Sequence, residues 1–147
     1  MFDPGMPEKI SFWTRELSPE KGYWIIQQLS TLSFTLSGFS FTSLSFFIGF
    51  YSNNPTVASD IVFALFVCTI LFMLSGEMAR EGYRIWKYLA SETIYLISLS
   101  ILSISFWLFA ARFPSLNNPI ATGILGVTIG YFGYRTVHNV YIAIRVR

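Results

Sequence analysis

Four stretches of roughly 20 predominantly apolar residues, each nearly free of charge, divide this chain, and few folds are open to such a sequence. In lipid every backbone N–H and C=O must be satisfied within the segment or within a closed barrel. The runs lack the period-two alternation of barrel strands, so the expected elements are helices. The expected spans are residues 23–50, 57–76, 89–111 and 120–141. The fold class expected is an all-α integral membrane protein, with four transmembrane helices as two antiparallel hairpins. Residues 1–22 are expected to form a cytoplasmic or interfacial N-terminal segment, and residues 23–147 the transmembrane domain. The first span has no small-residue cleavage pattern after a short apolar core, so it is read as retained.

Composition agrees. Charged residues make up 12% of the chain and apolar residues 53%, against about 25% charge in a soluble domain. That excludes a nucleic-acid arm, a disordered tail and an ordinary soluble enzyme.

The connections carry matching signals. Asn53-Asn54-Pro55 and Asn117-Asn118-Pro119 put a helix-capping amide and a first-turn proline before spans 2 and 4. Ser18-Pro19-Glu20 does the same for span 1, with the carboxylate at the positive helix end. Two hairpins of the same plan suggest a duplication, although Asn-Pro also makes good turns on its own account.

Charge sets the expected topology. Lys9, Arg15 and Lys21 precede span 1, Arg80, Arg84 and Lys87 separate spans 2 and 3, and Arg135, Arg145 and Arg147 lie at the end of span 4. Arg112 alone falls on the other side. This asymmetry places both termini in the cytoplasm, in a plasma or cell membrane. Residues 8–17 carry Ile10, Trp13 and Leu17 at helical spacing and suit a short helix in the headgroup layer. Residues 77–88 mix basic and aromatic side chains, as at a membrane edge. The pairs Glu77/Arg80 and Glu81/Arg84 there would support continued helix.

Span 1 is rich in hydroxyls, which divide between two faces of a helix. Gln28, Thr31, Thr35, Gly38, Thr42, Ser45 and Gly49 alternate by three and four in one stripe, read as pore-lining or helix-packing. Ser30, Ser33, Ser37 and Ser40 form a second, shorter stripe. Leu29, Leu32, Leu36, Phe39 and Phe47 cover the face between them. In span 4, Gly123, Gly126, Gly130 and Gly133 form a stripe suited to close helix packing.

Ionisable residues inside a bilayer are costly and few here. Glu92 and Arg135 stand at comparable depth and form a candidate ion pair that would lock spans 3 and 4 together. Asp60, in the first turn of span 2, favours the helix N-terminus, and repeated in a ring it would draw cations to an outer mouth. Tyr131, Tyr134, His138, Tyr141 and Arg145 share a face of span 4 with the character of an interfacial belt. Cys68 is expected to be an inert small residue.

Single Cys and His residues leave no internal disulfide or multi-histidine metal centre, so no metal site and no cofactor is expected. Paired carboxylates for a di-iron bundle, a phosphate loop and a nucleophile elbow are all missing from the sequence, so no enzyme is expected. A drug/proton antiporter would want a carboxylate deep in span 1, which has none. Two functions remain. One is a homo-oligomeric channel or passive transport protein for an ion or small solute, with span 1 hydroxyls near the path. The other is a non-catalytic accessory subunit of a larger membrane complex. The partners expected are the lipid bilayer and other copies of the chain or other membrane subunits, with no nucleic acid.

Overall fold

The structure is a computed structural model that describes residues 19–53, 59–81, 84–112 and 119–145. Among the described residues there are four helices: α1 (Pro19–Asn53), α2 (Ser59–Arg80), α3 (Ile85–Arg112) and α4 (Pro119–Arg145). Three of them are long and apolar enough to cross a membrane: Tyr23–Gly49 within α1, with mean hydropathy 1.3, α2 with 2.2 and α3 with 2.1. The chain is therefore a membrane protein of all-helical fold. The fourth expected span falls in α4, which has 27 residues. Tyr131, Tyr134, Arg135, His138 and Asn139 make its second half polar, and α4 is not among the helices long and apolar enough to cross a membrane among the described residues.

The helices form an antiparallel meander rather than a closed bundle. Among the described residues α1 packs on α2, α2 on α3 and α3 on α4, α1 only brushes α3, and α4 reaches neither α1 nor α2. Each helix thus uses one face for its neighbours, and the outer faces of α1 and α4 stay uncovered.

The seams repeat by alternating steps of four and three, the spacing that keeps one face of a helix on its partner in a left-handed pair. In α1 the buried seam is Ile26, Ser30, Ser33, Ser37, Ser40, Leu44 and Phe47, and in α2 it is Ile61, Leu65, Cys68, Phe72, Ser75 and Ala79. In α3, Ser91, Ser98 and Ser105 are buried at intervals of seven. Tyr95 and Leu102 lie between them and pack with the apolar cluster.

That cluster, comprising Leu44, Phe47, Ile61, Leu65, Phe72 and Leu102 around Cys68, occupies the half of the molecule near Asp60. Phe47 meets Phe109 edge-on with ring centroids 5.2 Å apart. Toward the other end, which carries Tyr23, Arg80 and Lys87 and is the basic end, serines replace the large side chains.

The serines join three helices in two rungs. Ser33 Oγ lies 3.1 Å from Ser75 Oγ, and Ser75 donates to the Ser91 carbonyl at 2.9 Å. Ser91 returns a bond to the Ser75 carbonyl at 2.7 Å. One heptad further on, Ser40 donates to Cys68 Sγ at 3.9 Å, and Cys68 donates to the Ser98 carbonyl at 3.2 Å. Between the rungs Ser37 donates to the Thr69 carbonyl, and beyond them Ser30 donates to the Gly76 carbonyl, each at 3.3 Å. Lipid gives helices no hydrophobic reason to associate, so close packing of small residues and interhelical bonds of about 0.6 kcal/mol each must hold them together.

Several element boundaries differ from the sequence reading. Helix α2 runs past Gly76 to Arg80, and α3 starts at Ile85, before Leu89, while the expected start of span 2 at residue 57 lies outside the described residues. The helix expected to continue through residues 77–88 is interrupted between α2 and α3. Glu77 does approach Arg80, at 3.6 Å, but Glu81 takes Lys87 at 2.9 Å instead of Arg84. Lys87 beside Glu81 holds its carboxyl below the usual carboxylate range. The capping Ser18, the interfacial segment at residues 8–17, and Asn54, Pro55, Asn117 and Asn118 of the turns lie outside the described residues.

Candidate functional site

The two hydroxyl stripes of α1 have opposite fates. The serine stripe is sealed against α2: Ser33 and Ser40 are wholly buried, and Ser30 and Ser37 nearly so. The other stripe, Gln28, Thr31, Thr35, Gly38, Thr42, Ser45 and Gly49, is exposed along its whole length. Three of its hydroxyls bond their own helix: Thr35 donates to the Thr31 carbonyl at 2.8 Å, Thr42 to the Gly38 carbonyl at 2.9 Å, and Ser45 to the Phe41 carbonyl at 3.0 Å. Such back-bonding uses the proton and leaves the oxygen lone pairs outward. The face offers a line of acceptors bordered by Phe39, Phe41 and Phe46, all exposed.

Leu29 and Phe47, from the apolar face of α1, are buried, while Leu32 and Phe39 remain outside. The face between the stripes is thus split between the neighbour helix and the surroundings.

The α4 glycines also face outward. Gly123, Gly126, Gly130 and Gly133 are exposed, and a Cβ added at any of them would meet nothing within 4 Å in the chain. Gly76 on α2 is the opposite case, since a Cβ there would lie 3.1 Å from the Phe34 ring. Gly130→Leu is therefore expected to leave the detergent melting temperature of the isolated chain almost unchanged, whereas Gly76→Leu lowers it, because overpacking costs about 1–3 kcal/mol. Size-exclusion chromatography of the same variants separates fold from assembly: Gly130→Leu should shift any oligomer to smaller species.

At the basic end Arg135 donates to Glu92 Oε1 at 2.8 Å across α3 and α4. The Glu92 side chain is 14% exposed and that of Arg135 40%. One turn past Arg135, Asn139 is buried, and its Nδ2 has no hydrogen-bond partner among the described residues. At the other end Arg112 donates to Asp60 Oδ2 at 2.6 Å. The Asp60 charge is thus compensated within the chain, which weakens its pull on a cation at an outer mouth. Tyr131, Tyr134, His138 and Tyr141 are exposed, and Tyr134 stacks on His138 with centroids 6.0 Å apart.

Cys68 does more than fill space, since it links α1 to α3 through its sulfur. Among the described residues no group of three His, Cys, Asp or Glu side chains stands close enough to hold a metal ion.

Sequence reasoning missed Ser75, Ser91, Ser98 and Ser105 as one packing system, and missed the Asp60–Arg112 pair. Comparison with models of known families, with characterised proteins and with solved structures finds no match to this chain.

Proposed function

We propose that the protein is a homo-oligomeric channel or passive transport protein for an ion or small solute, with no catalytic role. Its path runs along the Thr31–Gly49 face of α1. One observation carries the reading: of two hydroxyl stripes on one helix, one is consumed by internal packing and the other is left outside along its full length. Among the described residues α1 and α4 do not meet and the meander encloses no path of its own, so the path is built from several copies. With α1 faces turned inward, the acceptor oxygens of Thr35, Thr42 and Ser45 replace part of a solute's hydration shell.

This reading includes α4 as a fourth span and both termini on the cytoplasmic side. With α4 crossing, nine basic residues lie on one side and Arg112 on the other. Glu92 compensates Arg135 where α4 would otherwise carry a lone charge into lipid. An accessory subunit is the second reading, favoured by the open glycine face of α4, which suits a helix of another chain.

Purification and labelling together test the proposal. Cysteines at Asn53 and Asn117, with Cys68 replaced, should react with impermeant reagents from outside the cell. The protein should purify as a ring of identical subunits that passes solute into vesicles without an energy source. Labelling of either position only from inside defeats the four-span topology. Instability alone with fixed protein partners, and no homo-oligomer, defeats the channel in favour of the accessory subunit.

A further inference from the structure

At the basic end a groove of about 390 Å³ opens between α1 and α2, lined by Tyr23, Ile26, Gln27, Ser30, Thr31 and Arg80. A second groove adjoins it through Gln27 and Thr31 and adds the apolar walls of Trp24 and Leu32. Ser30 is committed to the Gly76 carbonyl. The Gln27 amide and the Tyr23 and Thr31 hydroxyls hold no such bond among the described residues. Among the described residues Arg80 has only Glu77 at 3.6 Å, an exposed contact longer than a hydrogen bond. Four polar side chains with donors to spare therefore line one groove at the end of a membrane-spanning pair.

Their order along the helices is informative. Tyr23 and Arg80 stand at the mouth, where an aromatic and a basic residue meet the headgroup layer. Gln27 and Thr31 follow one and two turns deeper, so the groove spans about 12 Å along α1 at 1.5 Å per residue. Ile26, Trp24 and Leu32 supply apolar wall. From mouth to depth this sequence matches a phospholipid: a phosphate at Arg80 and Tyr23, ester carbonyls for the Gln27 amide and Thr31 hydroxyl, then an acyl chain. A free phosphate would use only the mouth, and the arginine disfavours a cation.

We infer that this groove is a binding site for one anionic phospholipid, its phosphate held by Arg80 and its ester carbonyls by Gln27 and Thr31. The site shares Thr31 with the basic end of the proposed path face and lies apart from Thr35, Thr42 and Ser45, so its test reads lipid binding and not conduction.

The test is the melting of the full chain in detergent, titrated with short-chain phosphatidylglycerol, short-chain phosphatidylcholine or inorganic phosphate. Phosphatidylglycerol should stabilise the protein saturably, and the other two should do so far more weakly. Arg80→Gln should weaken the apparent affinity about tenfold, the scale of one lost charge-assisted bond. Gln27→Leu should weaken it too, while Arg84→Gln, which removes a neighbouring charge outside the groove, should not. Absence of a saturable effect on the wild type would overturn the site. Equal losses in Arg80→Gln and Arg84→Gln would reduce it to diffuse charge attraction. Inorganic phosphate reproducing the lipid effect would overturn the lipid in favour of a free anion, and equal binding of phosphatidylcholine would overturn the anionic preference.

Discussion

Replacing Glu92 by leucine is expected to cost about 2–3 kcal/mol of stability, the scale for an uncompensated charge in a membrane helix. The loss arises because Arg135 keeps its charge whatever its surroundings and loses the carboxylate that it holds at 2.8 Å. Arg135→Leu removes the same pair from the other side and should also destabilise the chain. The double variant Glu92→Leu/Arg135→Leu should recover most of the loss, because two apolar residues replace a pair that had to be desolvated together. A double-mutant cycle of detergent unfolding reads this directly. Additive losses would mean that the two charges are solvated independently and that the pair does not fasten α4 to α3.

Ser75→Leu is expected to lower stability by about 2–4 kcal/mol, combining overpacking with lost hydrogen bonds. Ser75 is wholly buried between two other wholly buried serines, so a larger side chain must push α1 or α3 away. Its one hydroxyl proton goes to the Ser91 carbonyl, so it accepts from Ser33. Ser75→Ala keeps the close approach and forfeits only bonds, so it should cost about 1 kcal/mol. Thr35→Leu is the control. Thr35 is exposed and bonds only its own helix, so the melting of the isolated chain should stay within about 0.5 kcal/mol of wild type. Equal destabilisation by Ser75→Leu and Thr35→Leu would contradict the division of α1 into a sealed and an open face.

The general architecture was legible because lipid leaves the backbone so few solutions. The lengths and apolarity of α1, α2 and α3 follow from that constraint, as does the start of α4 at Pro119. The choice between the stripes of α1 was not legible from α1 alone, since both carry hydroxyls at helical spacing. The missing information sits in the neighbours. Ser33 and Ser40, Cys68 and Ser75, and Ser91 and Ser98 are each seven residues apart. In an antiparallel meander these pairs fall level with one another. Serine, the smallest hydroxyl residue, suits that close approach better than the branched Thr35 and Thr42. The exchange of Arg84 for Lys87 at Glu81 was hidden for a different reason, since it depends on a chain reversal and not on helical spacing.

The claim that the open α1 face borders a polar path is tested most directly by thiol chemistry in the assembled protein, with Cys68 replaced by alanine. Ser40→Cys and Thr42→Cys differ by two residues and by everything in their surroundings. Thr42→Cys should react with a small water-soluble methanethiosulfonate, and its modification should reduce solute flux in vesicles, while Ser40→Cys stays protected against α2. Protection of Thr42→Cys, in an oligomer shown to be intact by its size, would contradict the account, because the stripe would then be dry packing surface or lipid contact and no path would run along it.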